Sequence, residues 1–436
     1  MTSPKKLTVS LLATCIPVLA LAQAEAAKPA ETAAPKLSWS VYGTANVNLQ
    51  TTRQQGTAAR LAVSTDSSNV GVRASAELAH GLGATLQCET SANLDGINAS
   101  GLLCGRNSRV GISSPWGTLF YGTWDTPFKA ASYGTKVDDP FGNTDVFGYQ
   151  GVMGSPGFNY RSGGYVSAAG AAPTADAAFP AGSVVNGFDI RAQNSVGFHS
   201  ARVEGVSLKA QYSVDEFKSN DGIIAPQLYA AVINFDRGPF SVFASYEYHE
   251  DGMGLVGINV PDKVGGTKEK LAFGATVANT ADKSSKDQAW RLGAGYELAN
   301  PAGTTTVSAM YEQIQFEQES AIDGQVKKYS RPAWQVAAKH RLNDHELRAR
   351  FSQASAGDCT VVNATCSTDQ YAAYMIAVGY AYYLAQSTQV YLNYVQIENQ
   401  RNATYTLTIG GSPNVAGKTS AGSDPRALAL GIRYAF

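Results

Sequence analysis

The sequence predicts an all-β fold, a transmembrane antiparallel β-barrel of sixteen strands, and three observations carry that prediction. The first is the end of the chain. Leu428, Leu430, Ile432, Tyr434 and Phe436 alternate with Ala427, Ala429, Gly431, Arg433 and Ala435. Strand side chains point to opposite faces at every second residue, so this stretch has one apolar face and one small or polar face. An apolar face that finishes on aromatic rings suits a strand in lipid, with Tyr434 and Phe436 as interfacial anchors and as the C-terminal assembly signal. The second observation is that period-2 segments recur along the chain in an even number. The third is the N-terminus, which reads as an export signal over 1–22. Lys5 and Lys6 precede a mostly apolar stretch that ends on the small-x-small site Ala20-Leu21-Ala22. Cleavage after Ala22 is the first choice and after Ala24 the second.

In chain order the strands fall at 37–50, 69–79, 84–92, 106–113, 118–124, 191–201, 205–215 and 227–236. The second half follows at 240–250, 288–299, 304–317, 332–342, 345–355, 370–384, 388–398 and 425–436. Most approach the 9–11 residues that a tilted membrane strand needs. In the second strand Val70, Val72, Ala74, Ala76 and Leu78 share one face, and Gly71, Arg73, Ser75 and Glu77 share the other. Tight turns such as Ser114-Pro115-Trp116-Gly117 and Asn300-Pro301-Ala302-Gly303 alternate with longer loops rich in Gly, Ser, Asp and Asn. That rhythm is the split between short periplasmic turns and long extracellular loops. Residues 268–280 read as part of a long loop, or a hairpin within it, because a seventeenth strand would break the even count.

Charged residues make up 16 % of the chain and the formal net charge is −1, so no basic surface for nucleic acid is expected. Residues 23–36, rich in Ala and Pro, read as a flexible leader, and the barrel occupies 37–436. Cys15 falls inside the signal peptide; the other four cysteines form two close pairs, Cys88 with Cys104 and Cys359 with Cys366. Four cysteines permit three connectivities, of which near-neighbour pairing is the economical one, stapling two extracellular loops. Neither pair has the spacing or nearby His of a zinc site. No nucleophile elbow, phosphate loop or dinucleotide fingerprint occurs, so no enzyme, cofactor or metal is expected.

Tyr42-Gly43 lies in the first strand and Asn69-Val70-Gly71-Val72-Arg73-Ala74-Ser75-Ala76-Glu77-Leu78 in the second. Next come Arg106-Asn107-Ser108-Arg109-Val110-Gly111-Ile112, Trp116-Gly117-Thr118 and Asp125-Thr126-Pro127. Arg191-Ala192-Gln193-Asn194-Ser195-Val196 and Gly205-Val206-Ser207-Leu208-Lys209-Ala210-Gln211-Tyr212 follow, and the chain closes on Phe436. In this order the segments resemble the trimeric general diffusion porins of Gram-negative outer membranes, across the whole mature chain. Ala76 departs from the family's usual Glu, and Thr123 stands where an Arg is frequent. The resemblance implies a homotrimer in the outer membrane, surrounded by lipid and inserted by the barrel-assembly machinery. It would pass small hydrophilic solutes and ions by passive diffusion. A substrate-specific porin for a sugar or organic acid is the alternative, and a barrel enzyme or adhesin a more distant one.

The resemblance also implies that the third loop, here 125–190, folds into the barrel and narrows it. Asp138, Asp139 and Asp145, among Phe141, Phe147 and Tyr149, are the candidates for one wall. Strand parity puts Arg73, Arg109 and Arg191 inward for the other wall, and Arg73 and Arg191 also match family positions for constriction cations. A charge on the lipid face costs about 2–4 kcal/mol at the midplane, so parity is a real constraint. Arg60, Lys209, Arg291, Arg348 and Arg350 are further candidate lumen charges. Cations dominate the strands while several acids sit in loops, and a weak anion preference is the expectation.

Overall fold

The computed structural model describes residues 36–54, 58–96, 103–142, 147–154, 157, 187–214, 227–250, 285–318, 326–363, 365–407 and 421–436. The expected signal peptide over 1–22, residues 23–35 of the expected leader, Asp145 and the 268–280 segment lie outside the described residues. The compact unit spans Leu37–Phe436.

Among the described residues, eighteen strand segments make sixteen staves, because two staves are each broken once. They are β1 (Leu37–Arg53), β2 (Arg60–Thr65 and Asn69–Glu77), β3 (Gly83–Ser91), β4 (Ser108–Ser114), β5 (Gly117–Asp125) and β6 (Arg191–Ser200). Next are β7 (Val206–Val214), β8 (Gln227–Arg237), β9 (Phe240–Glu250), β10 (Ser285–Asn300) and β11 (Gly303–Gln318). The set ends with β12 (Val326–Leu342), β13 (His345–Ala354 and Asp358–Val361), β14 (Ala373–Ala385), β15 (Thr388–Asn399) and β16 (Arg426–Ala435). Each stave pairs antiparallel with the next, and β16 returns to β1 in a register running from Thr44↔Ala435 to Arg53↔Arg426. Gly43 and Phe436 exchange both backbone hydrogen bonds at 3.0 Å. The barrel is closed.

Each predicted strand corresponds to one stave. The two breaks were not foreseen, and each has a local cause. In β2 both segments pair with β1, and the chain turns between them where Ser67 takes a positive φ of 51° and the Asp66 N–H donates to Asn46 O at 3.1 Å. In β13 the break lies beside Pro332 of β12, which has no N–H to offer; its carbonyl instead accepts from Ser355 N at 3.1 Å. Pro332 was read as the start of its strand, yet β12 runs six residues further back, to Val326.

Burial follows the two-residue period. In β9, Ser241, Phe243, Ser245, Glu247 and His249 are buried on the lumen side, and Phe240, Val242 and Tyr246 are exposed outward. In β16, Leu428, Leu430, Ile432, Tyr434 and Phe436 are exposed outward, as the sequence pattern requires. Both disulfides form as near-neighbour pairs, Cys88–Cys104 and Cys359–Cys366. They differ from simple loop staples, because Cys88 lies within β3 and Cys359 within the second segment of β13. Each bridge fastens a loop to a strand. Cys88 pairs in register with outward Val72, so its bridge lies on the outer face of the barrel.

Deleting Phe436 removes two closing hydrogen bonds and one interfacial ring. The deletion is expected to cost about 1–3 kcal/mol and to lower the yield of heat-modifiable folded barrel on unheated gels. Wild-type yield of the truncated chain would show that closure does not depend on this residue.

Candidate pore constriction

The loop between β5 and β6 turns inward at a polar base. Asp125 accepts from Asn107 Nδ2 at 2.9 Å and pairs with Lys129 at 3.1 Å and Arg191 at 3.2 Å, while Thr126 N donates to Ile190 O at 3.2 Å. From there the described parts of the loop lie against the inner wall from β8 to β15. Asn234 of β8 donates to Ala131 O at 2.7 Å, Ser241 of β9 accepts from Lys136 N at 3.1 Å, and Glu312 of β11 accepts from Gly154 N at 2.7 Å. Two glycines on the wall make room for it. A Cβ on Gly295 would stand 2.6 Å from the Lys136 carbonyl carbon, and one on Gly379 would stand 2.9 Å from the Phe141 ring. Val137, Phe141, Phe147, Tyr149, Val152 and Met153 of the loop are buried with Met375, Val395 and Ile397 of the wall. The lumen therefore contains a true apolar core on one side.

An ionic cluster fixes this core. Arg291 of β10 donates to both oxygens of Asp189 at 3.1 Å and to Tyr149 Oη at 3.1 Å, and it also pairs with Glu312. Arg331 of β12 reaches Glu312 at 3.4 Å and donates to Val152 O at 2.9 Å. Arg350 of β13 pairs with Asp139 and donates to Phe147 O at 2.5 Å. Arg291 is 1 % exposed and Glu312 and Arg331 are 0 % exposed, so these charges are out of contact with water. Isolated ions would be very costly there; paired and hydrogen-bonded ones are tolerated. Asp139 also accepts from Phe141 N and Tyr149 N, each at 3.1 Å, and so shapes the loop's own turn.

Among the described residues, no part of the loop covers Arg73 or Arg109 on the facing wall, β1 to β6. Arg73 lies 3.8 Å over the Tyr42 ring and donates from Nε to Gln87 at 2.9 Å. Arg109 lies 4.1 Å over Trp124 and 4.7 Å over Phe120, with a nitrogen 3.4 Å from His199 Nδ1. A recess of about 710 Å³ is lined in part by Arg73, Gln87, Asn107, Arg109 and Trp124. Neither Arg73 nor Arg109 has a carboxylate within salt-bridge distance among the described residues. Arg106 does, in Glu89 at 2.7 Å.

The expected site residues thus divide. Arg73 and Arg109 stand together on the facing wall; Arg191 is held at the base of the loop by Asp125 and by Asn107 at 2.9 Å. Arg60 is exposed on the lumen face at the long-loop end of β2, and Lys209 is half-buried opposite His199. Arg291 and Arg350 are corrected from lumen charges to buried anchors, since the loop covers them. Asp139 is corrected likewise, from constriction wall to ion-pair partner of Arg350. Asp138 remains half-buried on the loop, accepting from Gly134 N at 3.1 Å. Burial pushes its carboxyl up from the ordinary value to about 6; the Asp139 charge adds to the rise, and Gly134 N–H and Lys339 oppose it. Glu312, Asp189 and Arg331 were missed. Glu312 shares its face of β11 with Met310 and Ile314, and a lone acid in that apolar row was the available signal.

Residues 8–402 match the Gram-negative porin family. The chain belongs to that family. It is 24 % identical over 372 residues to outer membrane porin protein 32 of Delftia acidovorans, spanning 85 % of this chain and 84 % of that one. Among solved structures, the anion-selective porin from Comamonas acidovorans matches with a TM-score of 0.66 at 18 % identity, over 92 % of this chain and 100 % of that one. OmpT of Vibrio cholerae, expressed in the outer membrane, matches at 0.56 and 14 % identity, over 92 % and 98 %. The porin is an outer-membrane β-barrel whose water-filled lumen passes small hydrophilic solutes and ions; family and fold point to a channel rather than an enzyme.

Replacing Glu312 by Ala leaves Arg291 and Arg331 buried beside an empty partner site. The porin should lose about 3–5 kcal/mol in urea unfolding and gain current noise as the loop loosens. Glu312→Gln, which still accepts hydrogen bonds, should lose less. Equal stability of all three proteins would remove the cluster from its anchoring role.

Proposed function

We propose that the porin is an anion-preferring diffusion channel, narrowed between the constriction loop and the β2–β5 wall, with Arg73 and Arg109 as the selecting charges. The observation that carries this reading is an imbalance across the gap. On one wall two guanidiniums lack carboxylate partners among the described residues; on the other, Asp139 is consumed by Arg350 and Asp138 is in no salt bridge among them. Fixed cations beside a low-dielectric wall raise the local concentration of anions and lower that of cations. The anion selectivity of the structurally similar Comamonas acidovorans porin supports the same sign.

Replacing Arg73 and Arg109 by Ala should shift the reversal potential towards cations in a roughly tenfold KCl gradient, with the shift shrinking as the screening length falls from about 10 Å at 0.1 M to about 3 Å at 1 M. Asp138 acts oppositely. Its raised pKa leaves it charged above about 6 and neutral below, so acidification should strengthen anion preference in the wild type. Asp138→Asn should have the stronger preference at neutral pH and lose that pH dependence. Unchanged reversal potentials in the arginine variants would move the selecting charges elsewhere.

The trimer is part of the same proposal, with its contact on the β16–β1–β2 face. Towards the extracellular end, outward ring pairs run around much of the barrel: Tyr212–Tyr229, Tyr229–Tyr248, Trp290–Tyr311, Trp334–Phe351 and Phe351–Tyr374. Such rings mark a lipid interface. On β16, β1 and β2 the aliphatic Leu430, Leu49 and Val63 instead stand side by side in register. Val63→Arg should dissolve the trimer band on unheated gels while leaving a folded monomer, at a cost of about 2–4 kcal/mol. A trimer of wild-type stability would put the contact on another face.

A further inference from the structure

Below the constriction loop, near the short-turn mouth, one sector of the inner wall is strongly basic. Lys339 and Arg341 of β12, Arg348 of β13 and Arg433 of β16 all have inward parity there. On the inward faces of β12 to β16, Glu346 is the one carboxylate among the described residues, and it is already bonded to Arg348 Nε at 2.5 Å and to the Tyr383 hydroxyl at 3.3 Å, while Asp138 of the loop faces Lys339. The other end of that guanidinium donates to Gln389 of β15 at 2.6 Å, crossing β14 where Gly379 and Ala381 leave the way clear. Gln389 is in turn the register partner of Arg433.

Arg433 is the anomaly. Its electrostatic neighbours are Tyr383, Arg348 and Tyr391, and its Nε is buried without a hydrogen-bond partner among the described residues. Arg341 closes the sector from the other side, stacked 3.8 Å over the Tyr383 ring. Three guanidiniums and the Glu346 carboxylate thus surround one tyrosine, and a buried N–H of Arg433 has no acceptor among the described residues. A buried unmet donor costs about 1–3 kcal/mol. Guanidiniums present their N–H groups as a planar fork that fits two oxygens of one anion.

We propose that this sector is a second anion site, separate from the constriction, that takes a small divalent oxyanion at the periplasmic mouth. Arg433 and Arg348 grip the oxyanion, and Arg341 and Lys339 complete its basic surroundings, while the Tyr383 hydroxyl stays with Glu346. The site rests on the anion-preferring reading only in that its ligand must share the lumen with chloride. Because it lies on one side of the narrowing, it makes the channel respond differently to divalent anions from its two ends.

The test uses the full-length porin in planar bilayers at low ionic strength, with chloride carrying the current and inorganic sulfate as the probe. Sulfate added on the short-turn side should reduce the chloride current with saturation, at concentrations about fivefold lower than on the loop side. Arg433→Gln should erase that difference, and Arg433→Lys, which keeps the charge but not the fork, should retain part of it. The lysine variant also guards against a glutamine variant that fails to fold. Arg73→Ala should move the reversal potential and leave the one-sided sulfate effect in place. If only the reversal potential fails to move, the constriction reading is wrong and the mouth site stands. Equal block from both sides in the wild type, or an Arg433→Lys or Arg433→Gln channel that responds as the wild type does, overturns the site.

Discussion

Every other feature of this porin depends on the closure of its backbone ladder. In hydrocarbon no water is present to satisfy a free N–H or C=O, so a sheet survives there only without an edge. The pairing of β1 with β16, completed by Gly43 and Phe436, removes the last one. Closure then dictates parity. With the ladder fixed, each side chain must meet either lipid or lumen, and outward charges such as Arg426 and Glu398 are kept to the strand ends. The crowding of arginines on the inner wall follows from that division.

Crowded inner charges also have to be reconciled with one another. On the β8–β15 side the solution is burial under the inward-folded loop, where Arg291, Arg331 and Arg350 are matched by Asp189, Glu312 and Asp139. Neither partner of such a pair is cheap to bury alone, so loop and wall are correct only together. On the β1–β6 side no described part of a loop covers Arg73 and Arg109, and stacking on Tyr42, Trp124 and Phe120 holds their guanidiniums in place without neutralising them. One type of residue thus serves as anchor on one wall and as field source on the other.

That split explains what could be read from the sequence. The staves were legible because lipid imposes alternation on each strand independently, so Leu428 to Phe436 or Tyr374 to Leu384 announces its own face. The inward direction of Arg73, Arg109 and Arg291 was legible by the same parity. Their roles were not, since parity does not tell which wall the loop covers. Asp139 looked like a pore acid among aromatics; its carboxylate is committed to Arg350, 211 positions away in the chain. The break in β2 was hidden for a different reason. The polar residues at 64–68 read as loop, although Ser64 and Asp66 are buried against β1 and the ladder resumes on either side.

The position of the Cys88–Cys104 bridge has a consequence for biogenesis. Cys88 sits towards the long-loop end of β3 and Cys104 in the loop that follows, and Cys359–Cys366 is likewise on the long-loop side. Once the barrel has inserted, both bridges face the cell exterior, with the membrane between them and the periplasmic thiol oxidants and isomerases. Oxidation by those enzymes therefore has to precede insertion. The polypeptide delivered to the membrane is then not a linear thread but one carrying two covalent rings. The larger ring must travel across the bilayer as a doubled strand, which sets a minimum width for whatever opening the assembling barrel provides.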